Sequence, residues 1–209
     1  MQREICYDGA SNMSGANSGV AKQLRDEEPR AIYLHCYGHA LNLAAGDAIK
    51  KCKLTKDALD VAFEVSRLLS FSPKRTAQLE RIKEELSLES PGFRVLCPTR
   101  WTVRASSLRS LLTNYQVLQQ LWEVAKDSTS DPTIKSRIIG MEYQFQKFSF
   151  LFGVHLAELI LKHTDNLSRT LQATSMSASE GSAVAVMTVS TLQTLRNEEQ
   201  ITPSRHSGK

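Results

Sequence analysis

Asp8 closes the short apolar run Ile5-Cys6-Tyr7, and Gly9-Ala10-Ser11-Asn12 follow it. A carboxylate at the end of a buried strand can face a cleft and hold a divalent cation through hard oxygen contacts. Two such ions placed for in-line phosphoryl transfer need about three acidic groups converging on one site. A turn is the competing reading, because Asp-Gly is a favoured loop dipeptide and Asn12 suits the same turn. On these residues alone the turn is favoured.

Two other groups of residues could do chemistry. In His35-Cys36-Tyr37-Gly38-His39, Cys36 and His39 have the spacing of half a zinc site. A structural zinc takes four ligands and no second pair follows nearby, so zinc is disfavoured. Cys36 then packs as a small apolar residue, and His39 sits at the sheet end. In Thr99-Arg100-Trp101, with Arg104 and Arg109 beyond, an indole stands among guanidinium groups, and Arg100 and Arg104 are one helical turn apart. Such a cluster can stack an unpaired base while the cations hold phosphates. The alternative is a core-anchoring Trp101 with solvated arginines. The lysine run KKCKLTK, residues 50–56, is a solvated helix end that could also meet a DNA backbone. GASNMSGANSG lacks the lysine of a phosphate-binding loop, and no G-x-S-x-G or H-E-x-x-H is present.

The chain that positions these residues has 209 of them, 41% hydrophobic and 23% charged, which suits one ordinary domain or a domain with a helical extension. That composition excludes wholesale disorder. A net charge of +4 permits contact with nucleic acid without demanding it. No apolar run approaches the roughly 18 residues of a membrane span, and there is no signal-peptide core. The four cysteines are far apart with no C-x-x-C pair, as in a reduced intracellular protein.

Residues 4–7 and 31–36 read as strands, with a helix over 16–28 between them. Helical periodicity then dominates from His39, broken at Ser72-Pro73 and again at Ser90-Pro91-Gly92. FRVLC, residues 93–97, is a third strand candidate. An apolar stripe over Leu108–Trp122 predicts one helix, and residues 133–163 predict a long one in which Gly153 marks a close approach or a break. Asp131-Pro132 is a helix cap. Residues 172–183 read as a flexible connection, 183–199 as a last helix and the remainder as a polar tail. The expected fold class is therefore α/β, mostly helical, with a small sheet.

Taken in order, YDGASNMSG, HCYGHALNL and PTRWTVRASSL resemble the central portion of transposases of the hAT superfamily, most closely the domesticated zinc finger MYM-type group. The likeness runs from about Ile5 to Gln172. It implies an incomplete ribonuclease H-like sheet in residues 1–100, a helical insertion in 101–171, and a connection, terminal helix and tail in 172–209. It also implies metal-dependent DNA strand cleavage and transfer. Asp8 matches the second acidic residue of a D-D-E triad, and hence a ligand for Mg²⁺ or Mn²⁺ in a complete site. Asn12, Cys36 and His39 match motif positions that organise the active region. Trp101, after Arg100, matches a tryptophan that stabilises a flipped base, with Arg104 beside it on the DNA.

The first acidic residue of that triad belongs well upstream of Asp8, and the third, a glutamate, belongs beyond the insertion. Glu180, Glu198 and Glu199 stand in the wrong context to replace it. The expectation is a truncated, domesticated transposase-like chain that does not cut DNA by itself and holds no cofactor alone. Its expected partners are DNA, a nuclear protein or a second copy of the chain, with no membrane and no small-molecule substrate, and its expected location is the nucleus. One alternative is a part of an active metal-dependent transposase or nuclease in a longer chain. The other is a helical protein-interaction scaffold.

Overall fold

The computed structural model describes residues 4–7, 9–86, 92–96, 104–173 and 176–196. Two short strands and ten helices are found among them. In order these are β1 (Glu4–Tyr7), α1 (Ser11–Ser14), α2 (Val20–Glu27), β2 (Ile32–His35), α3 (Tyr37–Lys51), α4 (Lys53–Ser70) and α5 (Pro73–Glu85). There follow α6 (Arg104–Thr113), α7 (Tyr115–Ser128), α8 (Pro132–Phe145), α9 (Phe148–Leu171) and α10 (Ala178–Leu195). The mostly helical character is as expected. The chain divides into two compact units, Met1–Asn42 with Asn166–Lys209, and Leu43–Asp165.

In the first unit β1 and β2 pair in parallel, with Glu4 opposite Ile32 and Cys6 opposite Leu34. Both predicted strands therefore form, and helix α2 makes the crossover that a parallel pair requires. Two strands do not amount to a ribonuclease H-like sheet, and no further strand pairs with them among the described residues. The glycine-rich stretch between β1 and α2 folds tightly. A Cβ on Gly19 would lie 2.5 Å from the Gly15 nitrogen and 2.6 Å from its carbonyl oxygen, a backbone approach that only glycine allows. At the other end of the unit Ser177 and Glu180 form a reciprocal capping box, so α10 starts at Ala178, five residues before its predicted start.

The second unit is a helical bundle. Val65, Leu68, Leu79, Leu108, Leu111, Val117, Leu118, Leu121, Trp122, Ile138 and Val154 are all but fully buried. Tyr115 stacks on Phe145 and Phe150, which meet each other at a tilt, and Trp122 meets Phe145 edge-on. Two helix starts follow the sequence signals. Ser72 accepts from Arg75 N–H at 3.2 Å ahead of Pro73. Asp131 accepts from Thr133 and Ile134 N–H at 2.8 and 3.1 Å ahead of Pro132. Asp131→Ala is expected to cost about 1 kcal/mol of stability, the usual worth of such a cap, read as a lower urea midpoint at unchanged slope.

Three expectations are corrected here. The stripe over Leu108–Trp122 forms two helices that meet at Asn114, whose fully buried amide donates to the Ser110 carbonyl at 2.7 Å. The long helix over 133–163 is also two, and it breaks at Gln146-Lys147. There the Tyr115 hydroxyl donates to the Phe145 carbonyl, the acceptor that a continuing helix would give to residue 149. Gly153 lies inside α9 as a close approach to α4 and not as a break.

The third correction concerns FRVLC. Its described residues, 93–96, form no strand, because serine hydroxyls take the backbone groups that a sheet would use. Leu96 N–H donates to Ser66 Oγ at 2.9 Å and Arg94 N–H to Ser110 Oγ at 2.9 Å, while Ser107 Oγ donates to the Val95 carbonyl at 3.1 Å. The segment is strapped flat against α4 and α6.

Candidate nucleic-acid interface

That strap builds one wall of a groove in the helical unit. Lys50 from the last turn of α3 lines it, with Lys56, Leu59, Asp60 and Phe63 of α4, Leu96 of the strapped segment and Arg104 at the start of α6. The groove encloses about 210 Å³. Positions 56, 59, 60 and 63 fall on one helical face, which is why one stretch of α4 supplies both a cation and an aromatic ring. Leu59 and Phe63 also pack on the core below, so the floor of the groove is rigid and apolar.

Arg104 is positioned from a distance. The N–H of Ala105, in the first turn of α6, donates to Asp165 Oδ2 of α9 at 3.2 Å, and Asp165 is buried. A carboxylate at a helix N-terminus satisfies an orphan donor and opposes the positive end of the helix dipole. Asp165 thus fixes the first turn of α6 and with it the backbone that carries Arg104.

The electrostatics of the groove favour an anion. Three cationic side chains face one carboxylate, Asp60, which lies 2.8 Å from Lys56 Nζ. That hydrogen bond holds the Lys56 ammonium above its usual pKa range, so Lys56 stays charged. Both partners are substantially exposed, so solvent screens the pair and its net contribution is small. A phosphate can therefore compete for Lys56. Next to the groove, Cys52 precedes α4, and hydrogen bonds from Thr55 hold its thiol below the usual range.

Of the residues singled out in the sequence, Arg104 lines this groove, together with Lys50 and Lys56 of the basic run. Asp8, Arg100 and Trp101 lie outside the described residues. Asn12 is exposed on the single turn of α1. Cys36 lies between β2 and α3 and His39 stands in the first turn of α3, both half-buried. Among the described residues no cluster of three or more His, Cys, Asp or Glu is arranged to hold a metal ion. No described helix is long and apolar enough to cross a membrane.

Phe63, Leu96 and Asp165 were not legible as site residues. Phe63 carried a weak signal, its i+7 spacing from Lys56, whereas Asp165 reaches α6 only through the tertiary fold.

Over 105 residues, half of its length, the chain is 22% identical to human Zinc finger BED domain-containing protein 4, and it covers 9% of that protein. No protein-family model matches the chain, and no solved structure matches it.

Proposed function

We propose that the chain is a hAT transposase-like segment whose helical unit binds DNA in the groove of Lys50, Lys56, Phe63 and Arg104. The observation that carries this reading is that groove, where three cations rim an apolar floor with an aromatic ring. Cations hold phosphates and a ring accepts an unpaired base by stacking, so the arrangement suits single-stranded or distorted DNA better than an intact duplex. The similarity to a zinc finger BED domain protein supports the same class, and so does the ordered set of motifs shared with hAT transposases. In this reading residues 1–100 belong to a ribonuclease H-like region, 101–171 to its helical insertion, and the protein acts in the nucleus.

Asp8 is then one carboxylate of a triad. A single carboxylate does not hold two metal ions, so the chain alone binds DNA without cutting it. Plasmid nicking in Mg²⁺ or Mn²⁺ that Asp8→Asn abolishes would contradict that statement.

The binding reading is tested by titrating labelled single-stranded and branched DNA with the full chain. Arg104→Ala and Phe63→Leu are each expected to weaken binding about 5- to 50-fold, the loss of one phosphate contact or one stacking platform. The leucine keeps the core contact of Phe63, so a folded variant that binds normally would remove the stacking role. Absence of any DNA binding would favour a protein-interaction scaffold instead. The exposed Val186, Met187 and Val189 of α10, a helix with no charge between Gly181 and Leu195, suit that second reading.

A further inference from the structure

We propose that the cavity between α4 and the α8–α9 elbow is a binding site for a small organic anion, a single carboxylate or sulfonate head on an apolar body. The site is separate from the DNA groove and does not depend on it. At 3.6 residues per turn, Leu54, Ala58 and Val61 of the cavity and Lys56, Leu59 and Phe63 of the groove occupy opposite sides of α4.

The helix crossing makes the space. Gly153 brings α9 against Leu54 and Ala58 of α4, closer than a side chain would allow. About one turn earlier on α9, Ser149 and Phe150 line a cavity with that face of α4, and it encloses about 640 Å³. Small-molecule sites run from roughly 300 to 1,000 Å³. The apolar part of the lining belongs to the core. Ala58 and Phe150 are buried, Val61 packs on the same cluster, and Phe150 is held by the rings of Tyr115 and Phe145. A floor fixed by close packing in this way keeps its shape without a ligand.

The charges select the ligand. Lys53 and Lys147 line the cavity together with one carboxylate, Asp57. Lys53 Nζ lies 2.5 Å from Asp57 Oδ2, and both side chains are exposed, so solvent screens that pair and an incoming anion can compete for the ammonium. Lys147 is half-buried, and its ammonium stands 4.2 Å from the centre of the Tyr143 ring, a partner that orients the charge without neutralising it. Two ammonium groups against one carboxylate leave room for a single anionic head. Gln144 and Ser149 bring an amide and a hydroxyl that can donate to the same head. A bare inorganic anion would leave the apolar floor uncovered, and a neutral apolar molecule would bury polar groups unpaired. An anion with an apolar body satisfies both halves of the site.

The probe is 8-anilinonaphthalene-1-sulfonate, a fluorescent aromatic sulfonate, titrated into the folded full chain. One dye per chain is expected. Octanoate should displace it, whereas the same concentration of inorganic phosphate or of octanol should not. The Lys53→Gln, Lys147→Gln double variant should bind the dye about tenfold more weakly, as loss of a charged hydrogen bond predicts. Val61→Phe, which fills the cavity from its floor, should bind it more weakly still. Octanoate should also raise the melting temperature of the unaltered chain and not that of Val61→Phe. The variant with Lys50, Lys56 and Arg104 changed to glutamine should keep the dye, which separates this site from the groove. Unchanged dye binding in the folded lysine double variant would overturn the proposal. So would displacement by phosphate or octanol as effective as that by octanoate, or displacement by a single-stranded oligonucleotide, which would give the cavity to DNA.

Discussion

Trp122→Ala is expected to lower stability by about 3–5 kcal/mol, enough to leave the helical unit largely unfolded near body temperature. Trp122 is fully buried on α7, edge-on to Phe145 at 6.1 Å between ring centroids. Its removal opens a large cavity beneath the Tyr115, Phe145 and Phe150 cluster, and close-packed helices collapse into such a space only in part. Trp122→Phe should behave differently. The indole Nε1 is buried with no hydrogen-bond partner among the described residues, so the smaller ring sheds an unsatisfied donor while keeping most of the contact area. The expected loss for the phenylalanine is about 1 kcal/mol, well below that of the alanine. Urea unfolding of the three proteins followed by circular dichroism reads both changes, and equal losses in the two variants would contradict this account of the core.

The second large effect has an unusual sign. Replacing a glycine inside a helix by alanine normally stabilises by up to about 1 kcal/mol. Gly153→Ala is expected to destabilise, by about 1–3 kcal/mol, because the added Cβ would lie 2.7 Å from the Leu54 carbonyl oxygen and 2.9 Å from Ala58 Cβ. The carbonyl is backbone, so α4 and α9 must move apart to admit even one carbon. Gly153→Val should cost more, since its branched methyls enlarge the clash. Gly140 on α8 serves as the comparison. A Cβ there meets nothing within 4 Å, and Gly140→Ala should therefore stabilise by the ordinary propensity gain. Melting temperatures that move in opposite directions for the two alanine variants would establish the close approach, and a rise for both would refute it.

These cases show where the sequence was informative. Helix starts were legible because their chemistry is local: Ser72-Pro73 and Asp131-Pro132 carry both the capping oxygen and the proline that marks the first turn. Strands β1 and β2 were legible as short apolar runs bounded by turn residues. The helix break at Gln146-Lys147 was not, because a side chain distant in sequence accompanies it. Periodicity runs unbroken through Gln146, yet the Tyr115 hydroxyl takes the Phe145 carbonyl from another helix. FRVLC has strand composition, but Ser66, Ser107 and Ser110 bond its backbone before any strand can. The candidate site divides in the same way. Arg104 and the lysine run announced themselves by charge, whereas Phe63 looked like one more core residue of α4 and Asp165 like one more helical carboxylate.

The central claim is that the groove binds the charged backbone of DNA. Its most direct measurement is the salt dependence of affinity for a single-stranded oligonucleotide, followed by fluorescence anisotropy. Three cations engaging phosphates predict a slope of about −2 for log affinity against log salt, since each phosphate neutralised on a single strand contributes about 0.7. The variant with Lys50, Lys56 and Arg104 all changed to glutamine should then bind at least about tenfold more weakly at low salt, with a slope close to zero. If that variant folds and keeps both the affinity and the slope of the unaltered chain, the groove is not the DNA site.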